Sequence, residues 1–182
     1  MRIIAGEARG LPLTRPPEGV RPTMDRVRGA IFSSLGDLVP NAKVLDLFAG
    51  SGGMGVEALS RGAASATFVD LNPKSVACVK DNLRRANMTG VVQTMDALKF
   101  VELYASTGFD LIFADPPYAK RKDDRDFATE LLRMPALKEA LNPGGMLVIE
   151  RATRREEPEG AVLTLSKVRK YGESEVAYYY AP

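Results

Sequence analysis

The stretch KVLDLFAGSGGMG, residues 43–55, decides the fold. It begins with an apolar run as long as a buried strand and continues into a glycine-rich turn. Glycines at such a turn let the backbone bend sharply and approach a ligand without a Cβ clash. A strand that ends in this way before a helical pattern is typical of an open α/β sheet that binds ligands beyond its strand ends.

Outward from this stretch, strand patterns alternate with helix patterns. Strands are predicted at 43–48, 66–70, 91–95, 109–114 and 146–150, and helices at 53–61, 73–87, 98–104 and 125–141, the last broken at Pro135. This alternation predicts the α/β class, with a Rossmann-like, mostly parallel sheet and helices on both faces. Two β-rich segments around Tyr171-Gly172 predict a C-terminal β-hairpin, at 161–169 and 175–180, which brings the sheet to seven strands.

The N-terminal part has a different pattern. Residues 2–14 predict a small β-hairpin arm, and the proline-rich residues 15–22 predict a stiff linker. A helix is predicted after Thr23 as N-cap, ending at Pro40-Asn41. Its apolar stripe is formed by Val27, Ile31, Phe32, Leu35 and Leu38. We therefore divide the chain into an arm with its linker, 1–22, and a main domain, 23–182.

Composition narrows the possible chemistry. The 182 residues are 45% hydrophobic and 26% charged, as in an ordinary globular domain, and no apolar run is long enough to span a membrane. We expect a cytoplasmic protein, because the single cysteine, Cys78, fits a reducing compartment and no signal-peptide pattern is present. The chain has no histidine, which excludes histidine bases, histidine metal ligands and Ser-His or Cys-His pairs. We expect no metal.

Three acidic residues lie at the carboxyl ends of three predicted strands, where an α/β sheet binds its ligand. Asp46 precedes the glycine-rich turn and suits an amino group, which favours S-adenosylmethionine over a pyrophosphate cofactor such as NAD. Asp70 is placed to bind ribose hydroxyls, or else only starts the next helix. Asp96 could accept from the adenine amino group, or else only cap a helix. The predicted cofactor-binding residues are Asp46, Phe48, Ala49, Gly50, Ser51, Gly52, Asp70, Leu71, Asp96 and Ala97.

A second motif, Asp115-Pro116-Pro117-Tyr118, ends the predicted strand at 109–114. The two prolines stiffen the loop and present carbonyl groups. The Asp115 carboxylate and the Pro116 carbonyl can accept both N–H hydrogens of an exocyclic base amine, which makes its nitrogen a usable nucleophile. Tyr118 offers a ring for stacking on the base. We predict these four residues as catalytic; the alternative is a proline-rich turn with a buried tyrosine.

With both motifs and the N-terminal arm, the chain resembles the class I S-adenosylmethionine-dependent methyltransferases, and among them the bacterial RsmD-type enzymes. Those enzymes methylate N2 of a guanine in 16S ribosomal RNA. The resemblance rests on five stretches of the sequence. They are RIIAG at 2–6 with Arg9-Gly10, the segment from RPT at 21–23 to Arg28, the cofactor loop at 46–55, the motif at 115–118, and Lys170-Tyr171-Gly172. The chain departs from the family at Glu7-Ala8, where family members have an aromatic or basic residue.

The resemblance implies the following. The product would be S-adenosylhomocysteine, the partner would be 16S rRNA within a small ribosomal subunit or an assembly intermediate, and the enzyme would act as a monomer. The basic arm would contact RNA through Arg2, Arg9, Arg21, Arg26 and Arg28.

Other activities remain open from the residues alone. The same four-residue motif serves adenine-N6 and cytosine-N4 methyltransferases of DNA or RNA, and nothing in it selects guanine. A protein-amide methyltransferase would prefer Asn at Asp115. A base-carbon methyltransferase needs a nucleophilic cysteine, whereas Cys78 falls at a packing position of a predicted helix. An RNA-binding module without activity would not need three carboxylates at strand ends.

Overall fold

The computed structural model describes residues 1–14, 25–118, 124–153 and 156–181. Its strands are β1 (Lys43–Leu47), β2 (Ser65–Asp70), β3 (Val91–Thr94), β4 (Phe109–Ala114), β5 (Leu141–Ala152), β6 (Thr164–Tyr171) and β7 (Ser174–Tyr180). Its helices are α1 (Asp25–Leu35), α2 (Gly53–Ser60), α3 (Pro73–Arg85), α4 (Ala97–Tyr104), α5 (Phe127–Arg133) and α6 (Pro135–Ala140). Two single 3-10 turns, Gly36–Leu38 and Ala105–Thr107, follow α1 and α4.

The strands form one seven-stranded sheet in the order β3-β2-β1-β4-β5-β7-β6. The pairs from β3 to β5 are parallel, and β7 runs antiparallel to both of its neighbours. The predicted mostly parallel sheet with a C-terminal hairpin is therefore confirmed. This order places β1 and β4 side by side, so the two loops that follow them meet at one edge of the sheet.

Each face of the sheet carries its own apolar core. Alternate strand residues point to opposite faces, so that Val44 and Leu45 belong to different clusters. One cluster contains residues of α1, α2, α3 and the N-terminal arm. The other contains residues of α4, α5 and α6. Helices on both faces were predicted, and this is confirmed.

Most element boundaries differ from the prediction by one to three residues, as at β6, which is 164–171 and was predicted at 161–169, and two differences change the interpretation. α1 ends at Leu35, so Leu38 lies in a 3-10 turn and is 46% exposed instead of extending the buried stripe. β5 begins at Leu141, five residues earlier than predicted. Phe109 pairs with Leu141 and Leu111 with Met146, so the predicted turn at 142–145 is an irregularity within a strand. Local turn signals could not reveal this long-range pairing.

The N-terminal arm forms a hairpin with a single antiparallel bridge, between Arg2 and Pro12. Ile3 exchanges backbone hydrogen bonds with Leu11 (3.0 Å) and Gly10 (2.8 Å). The side chains of Ile3 and Leu13 are buried in the core that also contains α1 and α2. The predicted linker, the N-cap Thr23 and Arg21 lie outside the described residues.

Within the described ranges, no helix is both long and apolar enough to cross a membrane.

Candidate active site

The loop after β1 is built from residues with positive φ angles. Phe48, Gly50 and Gly52 have φ values of 55°, 56° and 74°. The Gly52 N–H donates to the Ala49 carbonyl (2.6 Å), and Gly52 caps the N-terminus of α2. Because side chains rarely adopt this left-handed region, glycine is required at the tightest positions. The backbone of the loop is therefore held in one sharp turn at the end of β1.

Asp70, at the end of β2, fixes this loop from the neighbouring strand. Its Oδ2 accepts from the Gly50 N–H and its Oδ1 accepts from the Asn72 N–H, both at 2.8 Å. Leu71, directly after it, is 66% exposed. Asp70 thus shapes the turn and also lies where the ribose contact was predicted; that contact stays a prediction.

Asp96 caps α4, because its Oδ1 accepts from the Lys99 N–H (3.0 Å). The alternative prediction for Asp96, that it caps a helix, is therefore confirmed. Asp96 also lines a surface groove of about 730 Å³ that extends towards α5 and α6. Ala97 beside it is buried. A contact between Asp96 and adenine stays a prediction, and Asp96 lies where a ligand in the groove could reach it.

Two other predicted cofactor residues have neighbours that the sequence did not indicate. The Phe48 ring packs edge-on against Phe127, with ring centroids 5.6 Å apart. Ser51 is buried, and its hydroxyl lies 3.7 Å from the sulfur of Met1 in the N-terminal arm. The side chain of Ser51 therefore contacts the arm.

Asp46, the one acidic residue of β1, is only 3% exposed. Its Oδ2 accepts from the Gly55 N–H at 2.9 Å. Burial raises the pKa of the Asp46 carboxyl to about 8; the nearby charges of Asp115 and Asp70 add to this, and the Gly55 hydrogen bond opposes it. Asp46 therefore changes charge near neutral pH in the ligand-free protein.

The Asp115–Tyr118 segment leaves the end of β4 beside the glycine loop. Asp115 is half-buried, Pro116 is buried, and Pro117 is exposed. Tyr118 is 38% exposed, so the alternative of a buried tyrosine is wrong. The Tyr118 hydroxyl donates to Glu150 Oε1 at 2.8 Å. Partial desolvation of its hydroxyl and the Glu150 charge raise the pKa of Tyr118 above its usual value, so the hydroxyl stays protonated.

One pocket brings the two motifs together. It is lined by Ile31, Asp46, Met54, Phe113, Ala114, Asp115, Val148 and Glu150. Sequence reasoning missed Glu150, although the signal was present: an acidic residue follows the apolar run of β5, as at the other parallel strands. Three carboxylates from three adjacent strands thus face one pocket. Such a pocket attracts a cation or a hydrogen-bond donor and repels phosphate.

The arginines predicted to contact RNA fall into two groups. Arg2, Arg9 and Arg26 are exposed, as an RNA contact requires, and Arg21 lies outside the described residues. Arg28 does not fit the prediction, because its side chain is fully buried. It pairs with Asp25 (3.0 Å) and with buried Glu57 (3.6 Å), and it donates to the Arg2 carbonyl. Arg28 connects the arm to α1 and α2.

In the described part of the chain, no three Cys, Asp or Glu side chains are grouped so that they could hold a metal ion.

The sheet order and the glycine loop define a methyltransferase-type α/β fold. A structure of a putative methyltransferase, yhhF, from Escherichia coli superposes with a TM-score of 0.81 at 30% identity, covering 100% of this chain and 99% of that one. A more distant putative methyltransferase solved with SAH, SMU.776, shares the fold at 16% identity, with a TM-score of 0.68 over 87% of this chain and 50% of that one.

The chain belongs to the family described as conserved hypothetical protein 95, whose family model matches residues 1–180. The putative rRNA methyltransferase YlbH of Bacillus subtilis is 37% identical, with 98% of both chains covered. Ribosomal RNA small subunit methyltransferase D of Escherichia coli is 39% identical over 66% of this chain and 61% of its own length. The resemblance to RsmD-type proteins is therefore confirmed at the level of the family.

Proposed function

We propose that this protein transfers a methyl group from S-adenosylmethionine to the exocyclic N2 of a guanine in 16S rRNA of the small ribosomal subunit. The observation that carries the proposal is the pocket that Asp46 and Asp115 both line, at the sheet edge where the glycine loop and the Asp115–Tyr118 segment follow the adjacent strands β1 and β4. The similarity to the putative rRNA methyltransferase YlbH and to ribosomal RNA small subunit methyltransferase D supports ribosomal RNA as substrate.

The residues present fit S-adenosylmethionine. The glycine loop lets a ligand approach the backbone, and Asp70 lies at the neighbouring strand end, where ribose is bound in related folds. Asp46 and Asp115 face the same pocket and suit a ligand with an ammonium and a sulfonium group. When bound, this cofactor supplies an electrophilic methyl group and leaves as S-adenosylhomocysteine.

The protein's own contribution is to hold and polarise the target amine. The Asp115 carboxylate and the Pro116 carbonyl each accept a hydrogen bond from one N–H of the amine, which directs the nitrogen lone pair away from both oxygens. Asp115 also stabilises the positive charge that develops on nitrogen as the new N–C bond forms. The proton that nitrogen then loses passes to Asp115 and on to water, since Asp115 is only half-buried. Positioning and electrostatics thus account for catalysis.

The substrate must present its guanine unpaired. A base within a helix cannot reach a pocket at a strand end, so the target is extruded or already single-stranded. Tyr118 then stacks on the base, which contributes about 1–3 kcal/mol. The exposed arginines of the arm and α1 bind the RNA backbone of the subunit or its assembly intermediate. We place the reaction in the cytoplasm and the enzyme in the monomeric state.

The direct test is RNA mass spectrometry. Small-subunit RNA from a strain that lacks this protein should lose one N2-methylguanosine, and purified protein with S-adenosylmethionine should restore it to isolated subunits. Loss of a methylated adenosine or cytidine would instead support the alternative amino-methyltransferase activity. Unchanged RNA would contradict the proposal.

The amine-holding role of Asp115 gives a prediction of its own. Asp115→Ala should lower methyl transfer to subunits by about 1000-fold or more, because an oriented, charged acceptor is lost at the reacting atom. Binding of S-adenosylhomocysteine, measured by calorimetry, should stay within a few fold. Asp37→Ala is the matched control, since it removes an exposed carboxylate in the 3-10 turn after α1, outside the pocket. If the Asp115 variant transferred methyl groups at the wild-type rate, Asp115 would not hold the target amine.

A further inference from the structure

The structure contains a carboxylate that the proposed reaction does not use. Glu150 lies on β5 and lines the same pocket as Asp46 and Asp115. In the parallel register Ala114, the last residue of β4, pairs with Ile149. Asp115 and Glu150 are the next residues along the two chains, and the backbones of paired strands lie about 4.8 Å apart. Glu150 therefore lies one strand from the residue that holds the target amine.

The Glu150 carboxylate is fixed by hydrogen bonds on one side. Its Oε1 accepts from the Tyr118 hydroxyl (2.8 Å) and from the Ser174 hydroxyl (3.0 Å). Among the described residues, its Oε2 has no hydrogen-bond partner. A half-buried carboxylate that lines the pocket, with one oxygen held and the other still able to accept, is prepared to accept a hydrogen bond from a ligand.

The bases that carry an exocyclic amine differ at the neighbouring ring nitrogen. In guanine, N1 beside the 2-amino group bears a hydrogen and is a donor. In adenine and cytosine, the Watson–Crick ring nitrogen beside the amine has a lone pair and is an acceptor. A fixed carboxylate attracts the first arrangement and repels the second. A site built to accept a hydrogen bond also rejects ligands that cannot donate one.

We propose that Glu150 selects guanine by accepting a hydrogen bond from its N1–H through Oε2, while Tyr118 and Ser174 hold the carboxylate in place. This inference rests on the proposed function and adds the base specificity that the four-residue motif cannot supply. Glu150 is a specificity-determining residue, and Asp115 remains the group that activates the amine.

The test uses 2-aminopurine, which keeps the 2-amino group of guanine but has an acceptor at N1. Small subunits are reconstituted with guanine or 2-aminopurine at the mapped target position, and the methylation rates of wild type and Glu150→Gln are compared on both. Wild type should prefer guanine. In Glu150→Gln the guanine-to-2-aminopurine rate ratio should fall by about 10- to 100-fold, because the charge-assisted bond is lost and the amide can donate to N1.

Glu173→Gln is the matched control. It makes the same change at an exposed carboxylate in the turn between β6 and β7, outside the pocket, so its rate ratio should stay within about 3-fold of wild type. Folding of each variant is checked by thermal melting and by binding of S-adenosylhomocysteine.

A ratio in Glu150→Gln equal to that of wild type would overturn the inference. Equal losses on both bases, including complete loss on both, would also overturn it and would leave Glu150 as a support for Tyr118. Wild-type protein that methylates guanine and 2-aminopurine equally well would exclude N1–H recognition while leaving the proposed function intact. Wild-type protein inactive on guanine would overturn the proposed function and this inference together.

Discussion

At the scale of single residues, burial controls Asp46 before any ligand binds. A carboxyl that has a pKa of 3.8 when exposed has a pKa of about 8 here, and burial is the largest cause. The native state therefore binds this proton more tightly than the unfolded state does. The stability that comes from keeping Asp46 neutral is present at low pH and is lost as pH rises from about 4 to about 8. A bound cation beside Asp46 would restore it.

Asp46→Asn tests this account. The amide keeps the size of the side chain and an acceptor for the Gly55 N–H, but it never becomes charged. The melting temperature of the ligand-free variant should exceed that of wild type by about 5 °C at pH 8.5, and the difference should shrink towards pH 5. Affinity for S-adenosylmethionine should fall at every pH above neutrality. A stability difference that does not change with pH would contradict the assigned cause.

At the scale of elements, the arm depends on one close approach to α2. Gly6 has φ +85°, and a Cβ built on it would lie 1.7 Å from the Ser60 carbonyl oxygen. The Ile4 and Ala5 N–H groups donate to the buried Glu57 carboxylate at 2.8 and 3.1 Å. The Glu7 N–H donates to the Ser60 carbonyl at 2.8 Å. Backbone of the arm thus packs directly on backbone of α2.

The arm offers an internal control for this contact. Gly10 has φ +86°, almost the same strain, but a Cβ there meets nothing within 4 Å. Gly10→Ala should cost about 1 kcal/mol of unfolding free energy from the backbone alone. Gly6→Ala should cost about 3 kcal/mol, because overpacking against Ser60 is added. Urea unfolding measures both. Equal costs would show that the arm is not tightly docked.

The sequence predicted the elements that depend on interactions between residues close together in the chain. It did not predict contacts between residues far apart in the chain. Most strands and helices were predictable because short apolar runs end at local turn signals, as at Gly62 and Pro73. The prediction that Arg28 contacts RNA was wrong because it used only the positive charge of Arg28 and not its position in the helical pattern. It lies three, four and seven residues before Ile31, Phe32 and Leu35, so helical spacing places it on the buried stripe. Its partner Glu57 is distant in sequence, which local patterns cannot reveal.

The same limit applies at the candidate site. Asp46, Asp70, Asp96 and Asp115 were recognisable because each lies close to the carboxyl end of a strand that could be predicted locally. The Tyr118–Glu150 hydrogen bond was not, because it depends on the order in which β4 and β5 pair.

At the scale of the whole molecule, the net charge of +2 is too small to drive RNA binding by itself. The exposed arginines Arg2, Arg9 and Arg26 concentrate positive charge around the arm and the start of α1. Arg28 beside them is neutralised by Glu57 and Asp25 and is shielded from solvent. We therefore expect this protein to bind the small ribosomal subunit through a few local contacts with phosphates, and its affinity to fall as the salt concentration rises.

Arg26→Ala measures this directly. Removing one phosphate contact should lower the slope of log affinity against log salt by about 1, with a uniform loss of affinity and unchanged binding of S-adenosylhomocysteine. Lys138→Ala is the matched control, because Lys138 is an exposed cation on α6, on the opposite face of the sheet. Its slope should equal that of wild type in filter-binding titrations with small subunits. If both variants lower the slope equally, binding follows overall charge and the arm has no special role.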